Sequence, residues 1–219
     1  MASVLTKSLK DRFADLQAER ERSWDPAKLA VNAGTRAKLA ARFDPRATAQ
    51  IGDKLPAIKL ANVEGGAISI RELTANGPAV LVFFRFAGCP ACNIALKYYE
   101  ETLWPALREK GVPLVALSPQ RPDLLRAIKD RHPLTFTVAT DPDSGLADYL
   151  GISFVPDERP SPPPAGWIGE VTGTDSWALP QPTVVLVDRD QTIRWLRVSP
   201  DWLDRPEADE ILSAVNAVA

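Results

Sequence analysis

The sequence predicts an α/β protein whose sheet is covered on both faces. Three observations carry that reading. From Ile51 onward, strand-like and helix-like patterns alternate along the chain. Ala79-Val80-Leu81-Val82-Phe83-Phe84 is a continuous apolar run, the pattern of a central strand buried on both sides. Beyond it, Cys89-Pro90-Ala91-Cys92 marks a strand-to-helix turn. Gly88 allows that turn, and Pro90 suits the first helical position, where a missing N–H costs nothing.

Taken in order, residues 1–50 read as an N-terminal helical extension and residues 51–219 as the main domain. Leu5, Leu9, Phe13 and Leu16 recur at helical spacing, with charges between them through Arg22. That stripe is expected to pack on the domain, with a homodimer contact as its alternative use. Glu19, Arg20, Glu21 and Arg22 read as a solvated helical face. A weaker helical stretch follows over Pro26–Phe43. Ile58–Leu60 and Ala67–Ile70 form a short hairpin around Glu64-Gly65-Gly66. Strand Ala79–Phe86 then leads into the cysteine helix, which runs past Tyr98 until Pro105 kinks or ends it. Val112–Leu117 and Leu134–Ala139 are strands, separated by a helix carrying Leu124, Leu125 and Ile128. A short helix near Ser144–Leu150 precedes an extended piece at Ile152–Val155. Residues 156–179 form an insertion rich in proline and glycine, too long for an ordinary connection, and read either as a mobile segment or as a functional one, a lid over the thiols or a subunit contact. Thr183–Val187 and Ile193–Val198 make a second hairpin, and Ile211, Leu212 and Val215 mark a final helix.

Composition excludes several classes. A net charge of −2 gives no basic surplus for nucleic acid or a membrane surface. The apolar runs are too short to span a bilayer. The N-terminus lacks a signal-peptide apolar core, and Asp11, Asp15 and Glu19 argue against a transit peptide, so a cytoplasmic location is expected. No phosphate-cradling glycine loop is present, and no cofactor is called for. Asp141, Asp143 and Asp148 lack a calcium-loop pattern and read as a turn and a helix cap.

Cys89 and Cys92 are the only cysteines of the chain, too few for a disulfide framework. Their spacing puts them one turn apart on one helical face, with Cα atoms about 5–6 Å apart, within the span of a disulfide. The helix tip carries about half a positive charge and unpaired N–H groups, which favour a thiolate. The expectation is a depressed pKa for the more exposed sulfur, taken to be Cys89, with Arg85 adding to the effect or merely solvated at a strand end. An inert core pair and a zinc site are the competing readings. The single histidine, His132, lies in a loop and leaves zinc short of ligands.

The chain resembles the thioredoxin superfamily, and within it the peroxiredoxin-like proteins of the alkyl hydroperoxide reductase/thiol-specific antioxidant family. The carriers are Leu81-Val82-Phe83-Phe84-Arg85 leading into the cysteine motif, Val115-Ala116-Leu117-Ser118-Pro119-Gln120, Leu179-Pro180-Gln181-Pro182-Thr183, and Val187-Asp188-Arg189-Asp190-Gln191-Thr192-Ile193-Arg194. The resemblance implies a thioredoxin-like fold with a central mixed sheet, and makes Pro182 the candidate cis-proline against the dithiol. It also exposes departures. With Cys92 in the peroxidatic place, Cys89 stands where a threonine or serine is usual and Arg85 where a proline is usual. The family's peroxide-binding arginine would fall near Pro182, so Arg85 or Arg194 would have to substitute.

The expected function is a thiol-based antioxidant oxidoreductase. Its dithiol reduces a peroxide or a disulfide and is recycled by thioredoxin or glutathione. Cys89 attacks and Cys92 resolves, the order reversing if the substrate is a peroxide. A protein disulfide reductase and a non-catalytic redox sensor or interaction module remain as alternatives, and turnover separates the sensor from the enzymes.

Overall fold

A computed structural model describes residues 7–218. Leu5, the first member of the N-terminal stripe, lies outside the described residues.

Helix α1 (Leu9–Ser23) starts at Ser8, whose side chain accepts from Asp11 N–H, and α2 (Pro26–Arg42) starts at Asp25, which accepts from Ala27 and Lys28. Both are side-chain N-caps of the usual kind. The domain follows as β1 (Lys59–Asn62), β2 (Ala67–Ser69), α3 (Ile70–Leu73), β3 (Ala79–Phe83), α4 (Pro90–Thr102), α5 (Trp104–Glu109) and β4 (Leu114–Ser118). It continues through α6 (Pro122–Leu125), α7 (Ala127–Arg131), β5 (Thr137–Thr140), α8 (Gly145–Tyr149), β6 (Ser153–Phe154) and α9 (Ile168–Thr172). The last elements are β7 (Leu179–Pro180), β8 (Thr183–Val187), β9 (Ile193–Val198) and α10 (Ala208–Val218).

Seven strands form one mixed sheet in the order β2-β1-β5-β4-β3-β8-β9. The pairs β3–β4 and β4–β5 are parallel, and the other pairs are antiparallel. Strands β6 and β7 pair separately. Every residue of β3, β4 and β8 is buried, as the unbroken apolar runs required. Alternation along β3 divides the core. Val80, Val82 and Phe84 face a layer holding both cysteines, Leu96, Tyr99, Ile211 and Val215. Ala79, Leu81 and Phe83 face Leu146, Leu150, Ile152 and Ile70 on the other side.

The N-terminal stripe packs on the domain. Leu9 and Phe13 are buried in the cysteine layer, and Leu16 lies against it. Glu207 anchors this helix: its carboxylate accepts from Leu9 N at 3.0 Å, Lys10 N at 2.9 Å and the Tyr98 hydroxyl at 2.6 Å. A carboxylate on free N–H groups at a helix start is favourable both as hydrogen bond and as dipole partner. The reading of Glu19–Arg22 as one solvated face needs correction at Arg20, which is 4% exposed. It falls seven residues after Phe13, two turns along the same face.

The insertion over 156–179 holds α9, and the rings of Trp167 and Trp177 pack at 4.8 Å. It is tied to the end of β4, through Gln120 Nε2 to Val171 O and Arg121 N to Thr172 O, and to α2 through Arg42 Nη1 to Asp157 Oδ1 at 2.7 Å. Asp141 is the helix cap expected of it, accepting from Leu146 and Ala147 N–H at 2.9 Å each.

Candidate active site

Strand β3 ends beneath the start of α4, and side chains of three elements fix the turn between them. Ser118 Oγ donates to Arg85 O at 2.9 Å, and Gln120 Oε1 accepts from Ala87 N at 2.8 Å. Asn93 Nδ2 donates to both Ala87 O and Cys89 O at 2.8 Å. Arg131 and His132 in turn hold Asn93 Oδ1, at 2.8 and 2.9 Å. His132 is therefore a supporting residue, and no group of three or more His, Cys, Asp or Glu suited to a metal ion occurs among the described residues.

Cys89 is the N-cap of α4, and its Sγ accepts from Cys92 N–H at 3.4 Å. The two sulfurs are free thiols 2.7 Å apart, on one side of the helix. The expected exposure of Cys89 is not met. Cys89 is 3% and Cys92 0% exposed, because α1 and the residues after β9 cover the helix tip.

The order of acidity is also the reverse of the expectation. Burial raises the Cys89 thiol, the hydrogen bond and negative charge of Cys92 raise it further, and Arg85 and Arg205 only partly oppose this. Burial works against ionising Cys92 as well. There the hydrogen bond from Cys89, the charge and hydrogen bond of Arg205, and the Arg85 main chain outweigh it, holding Cys92 well below the ordinary thiol. The hydrogen bond between the sulfurs sets the order first, and Arg205 adds to it, because the helix tip offers about half a charge whereas a guanidinium in contact offers a whole one.

Arg205 is the residue that sequence reasoning missed. It is 7% exposed, and its Nη2 donates to Cys92 Sγ at 3.4 Å. Trp202 O takes its Nε at 3.0 Å, and its guanidinium lies 5.7 Å from the Phe13 ring of α1. Burial lowers the Arg205 pKa, but the sulfurs of Cys92 and Cys89 more than compensate, so it stays charged. Tyr99 steadies the segment by donating to Pro206 O at 2.8 Å. Nothing in the local sequence separates Arg205 from a solvated loop arginine, since it stands 113 residues from Cys92.

The other candidates fall differently. Arg85 is half-buried and stacks on Trp202 at 4.5 Å, with Phe154 and Phe86 at 5.8 and 5.9 Å. Its guanidinium lies beside the pair without a hydrogen bond to either sulfur, and only its main chain acts on Cys92 directly. Arg194 is removed from the site, bound to Asp188 at 2.6 Å. Pro182 is buried and lines a small cavity with Tyr99, Ser199 and Arg205. It is not a cis-proline: the cis bond among the described residues is Ser161–Pro162. Gln181 N donates to Ile152 O and Pro182 O accepts from Ser199 N, each at 2.8 Å, so the chain enters β8 already extended.

A low-pKa sulfur, a guanidinium in contact with it and a second thiol within bonding reach make a site for two-electron thiol chemistry. The chain is similar to several known proteins in sequence or in fold. The thiol-disulfide oxidoreductase ResA of Bacillus thuringiensis (strain Al Hakam) is 29% identical over 117 residues, covering 52% of this chain and 65% of that protein. Peroxiredoxin bcp1 of Schizosaccharomyces pombe is 27% identical over 104 residues, covering 48% of this chain and 53% of its own length. The chain thus spans less than two thirds of either relative. Among solved structures, the peroxidoxin BcpB of Mycobacterium tuberculosis superposes with a TM-score of 0.60 at 18% identity, over 78% of this chain and 98% of that one. Reduced Prx3 of Vibrio vulnificus, solved with hydrogen peroxide, gives 0.61 at 21% identity, over 76% and 99%. These likenesses establish the thioredoxin-like fold. Residues 51–196 match the AhpC/TSA family, two thirds of the chain and the whole stretch from the first strand to β9, and the protein belongs to that family.

Proposed function

We propose that the protein is a thiol peroxidase that reduces small hydroperoxides at Cys92 and resolves them with Cys89. The observation that supports this most is the Cys92 sulfur itself. It is acidified by Cys89 and Arg205 and fully buried, so that any substrate needs the cover to open and a small hydroperoxide needs the least opening. A protein disulfide cannot reach a sulfur with no exposed surface unless the N-terminal helix moves away. A hydroperoxide needs far less room.

The chemistry then balances as follows. The Cys92 thiolate attacks the terminal peroxide oxygen, the O–O bond breaks, and the alkoxide or hydroxide leaves and takes up a proton. Arg205, in contact with the sulfur, stabilises the negative charge passing from sulfur to the leaving oxygen. Cys92 is now a sulfenic acid. Cys89 gives up its proton and attacks that sulfur, water leaves, and a Cys89–Cys92 disulfide closes over the short gap between them. Two thiol equivalents, from thioredoxin or glutathione, return both electrons.

Stopped-flow tryptophan fluorescence with hydrogen peroxide tests the reading, Trp202 lying next to Arg205. Oxidation much faster than that of N-acetylcysteine is expected. A rate equal to that of the free thiol would remove the peroxidase assignment and leave disulfide exchange.

A further inference from the structure

Arg205 and Arg85 lie at the cysteine pair, Arg20 and Arg36 of the N-terminal helices lie behind them, and the peroxidase reading uses only Arg205. Arg205 holds Cys92. Arg85 stacks on Trp202, and Arg36 of α2 reaches Asp201, the residue before Trp202, at 3.7 Å. Arg20 of α1 is 4% exposed and lies over the Trp24 ring at 4.8 Å. It follows Phe13, whose ring faces Arg205, by two turns on the same helical face, which places it in the same group. Burial lowers its pKa, the Cys89 sulfur draws it up, and the charges of Arg36 and Arg85 push it down while that of Glu19 offsets them in part.

These groups are poorly partnered. Arg20 Nε and Nη1, Arg36 Nε, Arg85 Nε and Arg205 Nη1 are buried without a hydrogen-bond acceptor among the described residues. Buried donors, above all charged ones, are costly to leave unpaired. Charge compensation is incomplete too. Asp201 faces Arg36 and the Cys92 sulfur faces Arg205, whereas Arg20 and Arg85 make no ion pair with a carboxylate among the described residues. Glu19, adjacent to Arg20, is exposed on the outer face of the helix. The chain as a whole carries −2, so this positive cluster is local.

We propose that Arg20 and Arg85, backed by Arg36, form a carboxylate-binding subsite beside the dithiol, and that the preferred substrate is a carboxylate-bearing hydroperoxide. The proposal rests on the peroxidase reading for the substrate's reactive end and on the arginine cluster for its anionic end. A carboxylate presents two acceptors in one plane, the shape that guanidinium groups bind best. It would also supply the missing negative charge. Arg20 and Arg36 come from the N-terminal helices, so the extension would shape substrate choice as well as cover the site.

The test compares iodoacetate with iodoacetamide on the reduced full-length chain, reading Cys92 by peptide mass. Both reagents alkylate a thiolate and release iodide, and they differ only in a carboxylate against an amide. The iodoacetate-to-iodoacetamide rate ratio should exceed that of N-acetylcysteine by about tenfold, the scale of one charge-assisted hydrogen bond. Arg20→Met should bring the ratio back towards that of the free thiol, while Arg20→Lys keeps most of it. Should Arg20→Met fail to fold, Arg36→Gln carries the comparison. A wild-type ratio equal to that of N-acetylcysteine overturns the subsite. A raised ratio indifferent to Arg20→Met and Arg36→Gln also overturns it, because Arg205 alone then accounts for the preference. The hydrogen peroxide rate on the same sample keeps the two readings apart. A raised, Arg20-dependent ratio with no fast peroxide reaction sustains the subsite and removes only the peroxide as its substrate.

Discussion

Two sulfurs three residues apart end up with opposite tendencies, and two contacts are the cause. The hydrogen bond between them favours the charge on Cys92 and disfavours it on Cys89, and Arg205 touches Cys92 and not Cys89, so burial dominates at one sulfur and is overcome at the other. Cys92→Ser should therefore abolish fast peroxide oxidation. Cys89→Ser should retain it but stop at the sulfenic acid, seen by intact mass as one added oxygen and no disulfide. Arg205→Met should slow oxidation about a hundredfold, the usual loss when a charge-stabilising donor is removed from a reacting centre. In the same variant the ultraviolet absorbance of the thiolate should titrate at higher pH. The sign for the unmutated protein follows from a folded pKa below the unfolded one. The thiolate's contribution to stability is complete above the ordinary thiol pKa of about 8.5 and is lost as pH falls through the depressed value, whereas the rate, set by the folded protein alone, is already full above the depressed value. Cys89, shifted upward, works the other way, costing stability as pH rises past the ordinary thiol range. A rate profile that falls only towards acid would match Cys92 as the attacking group; one still rising above pH 9 would match Cys89.

The elements of the site are held by capping and turn contacts rather than by the sheet alone. Glu207 joins α1, α4 and the start of α10 through three hydrogen bonds, so it decides whether the N-terminal helix stays over the thiols. Glu207→Ala should cost about 1–3 kcal/mol, the scale of lost caps and charged hydrogen bonds, measured from the denaturant midpoint. Limited proteolysis of α1 and alkylation of Cys92 by bulky maleimides should both accelerate. Unchanged maleimide access would mean that α1 is not the cover. Phe13→Ala tests the same docking from the apolar side and should cost about 3–5 kcal/mol. These elements were largely legible. The hairpin Thr183–Val187 with Ile193–Val198, the break of the cysteine helix before Pro105, and the Asp141 cap follow from local patterns that need only a few residues of context. Pro182 was misjudged because an X–Pro isomer depends on what the flanking carbonyls and N–H groups pair with, and here they pair along an extended entry to β8.

The whole molecule sets which substrates can arrive. Both thiols lie under α1 and the segment after β9, and no helix among the described residues is long and apolar enough to cross a membrane. The reduced protein should therefore consume hydrogen peroxide while reducing insulin disulfides no faster than a simple dithiol does, read as turbidity. The sequence by itself determined the α/β order, the buried central strands and the neighbouring thiols at a helix start. Each of these follows from residues close together in the chain, through apolar periodicity, glycine and proline punctuation, and one-turn spacing. Only the tertiary structure decided which sulfur ionises, what covers the pair and which arginines gather beside it. Those properties depend on Arg205 and on Leu9 and Phe13, which reach the site from elements far from Cys92 in sequence. Charge and burial act through space, and no spacing rule along the chain records where a guanidinium will land.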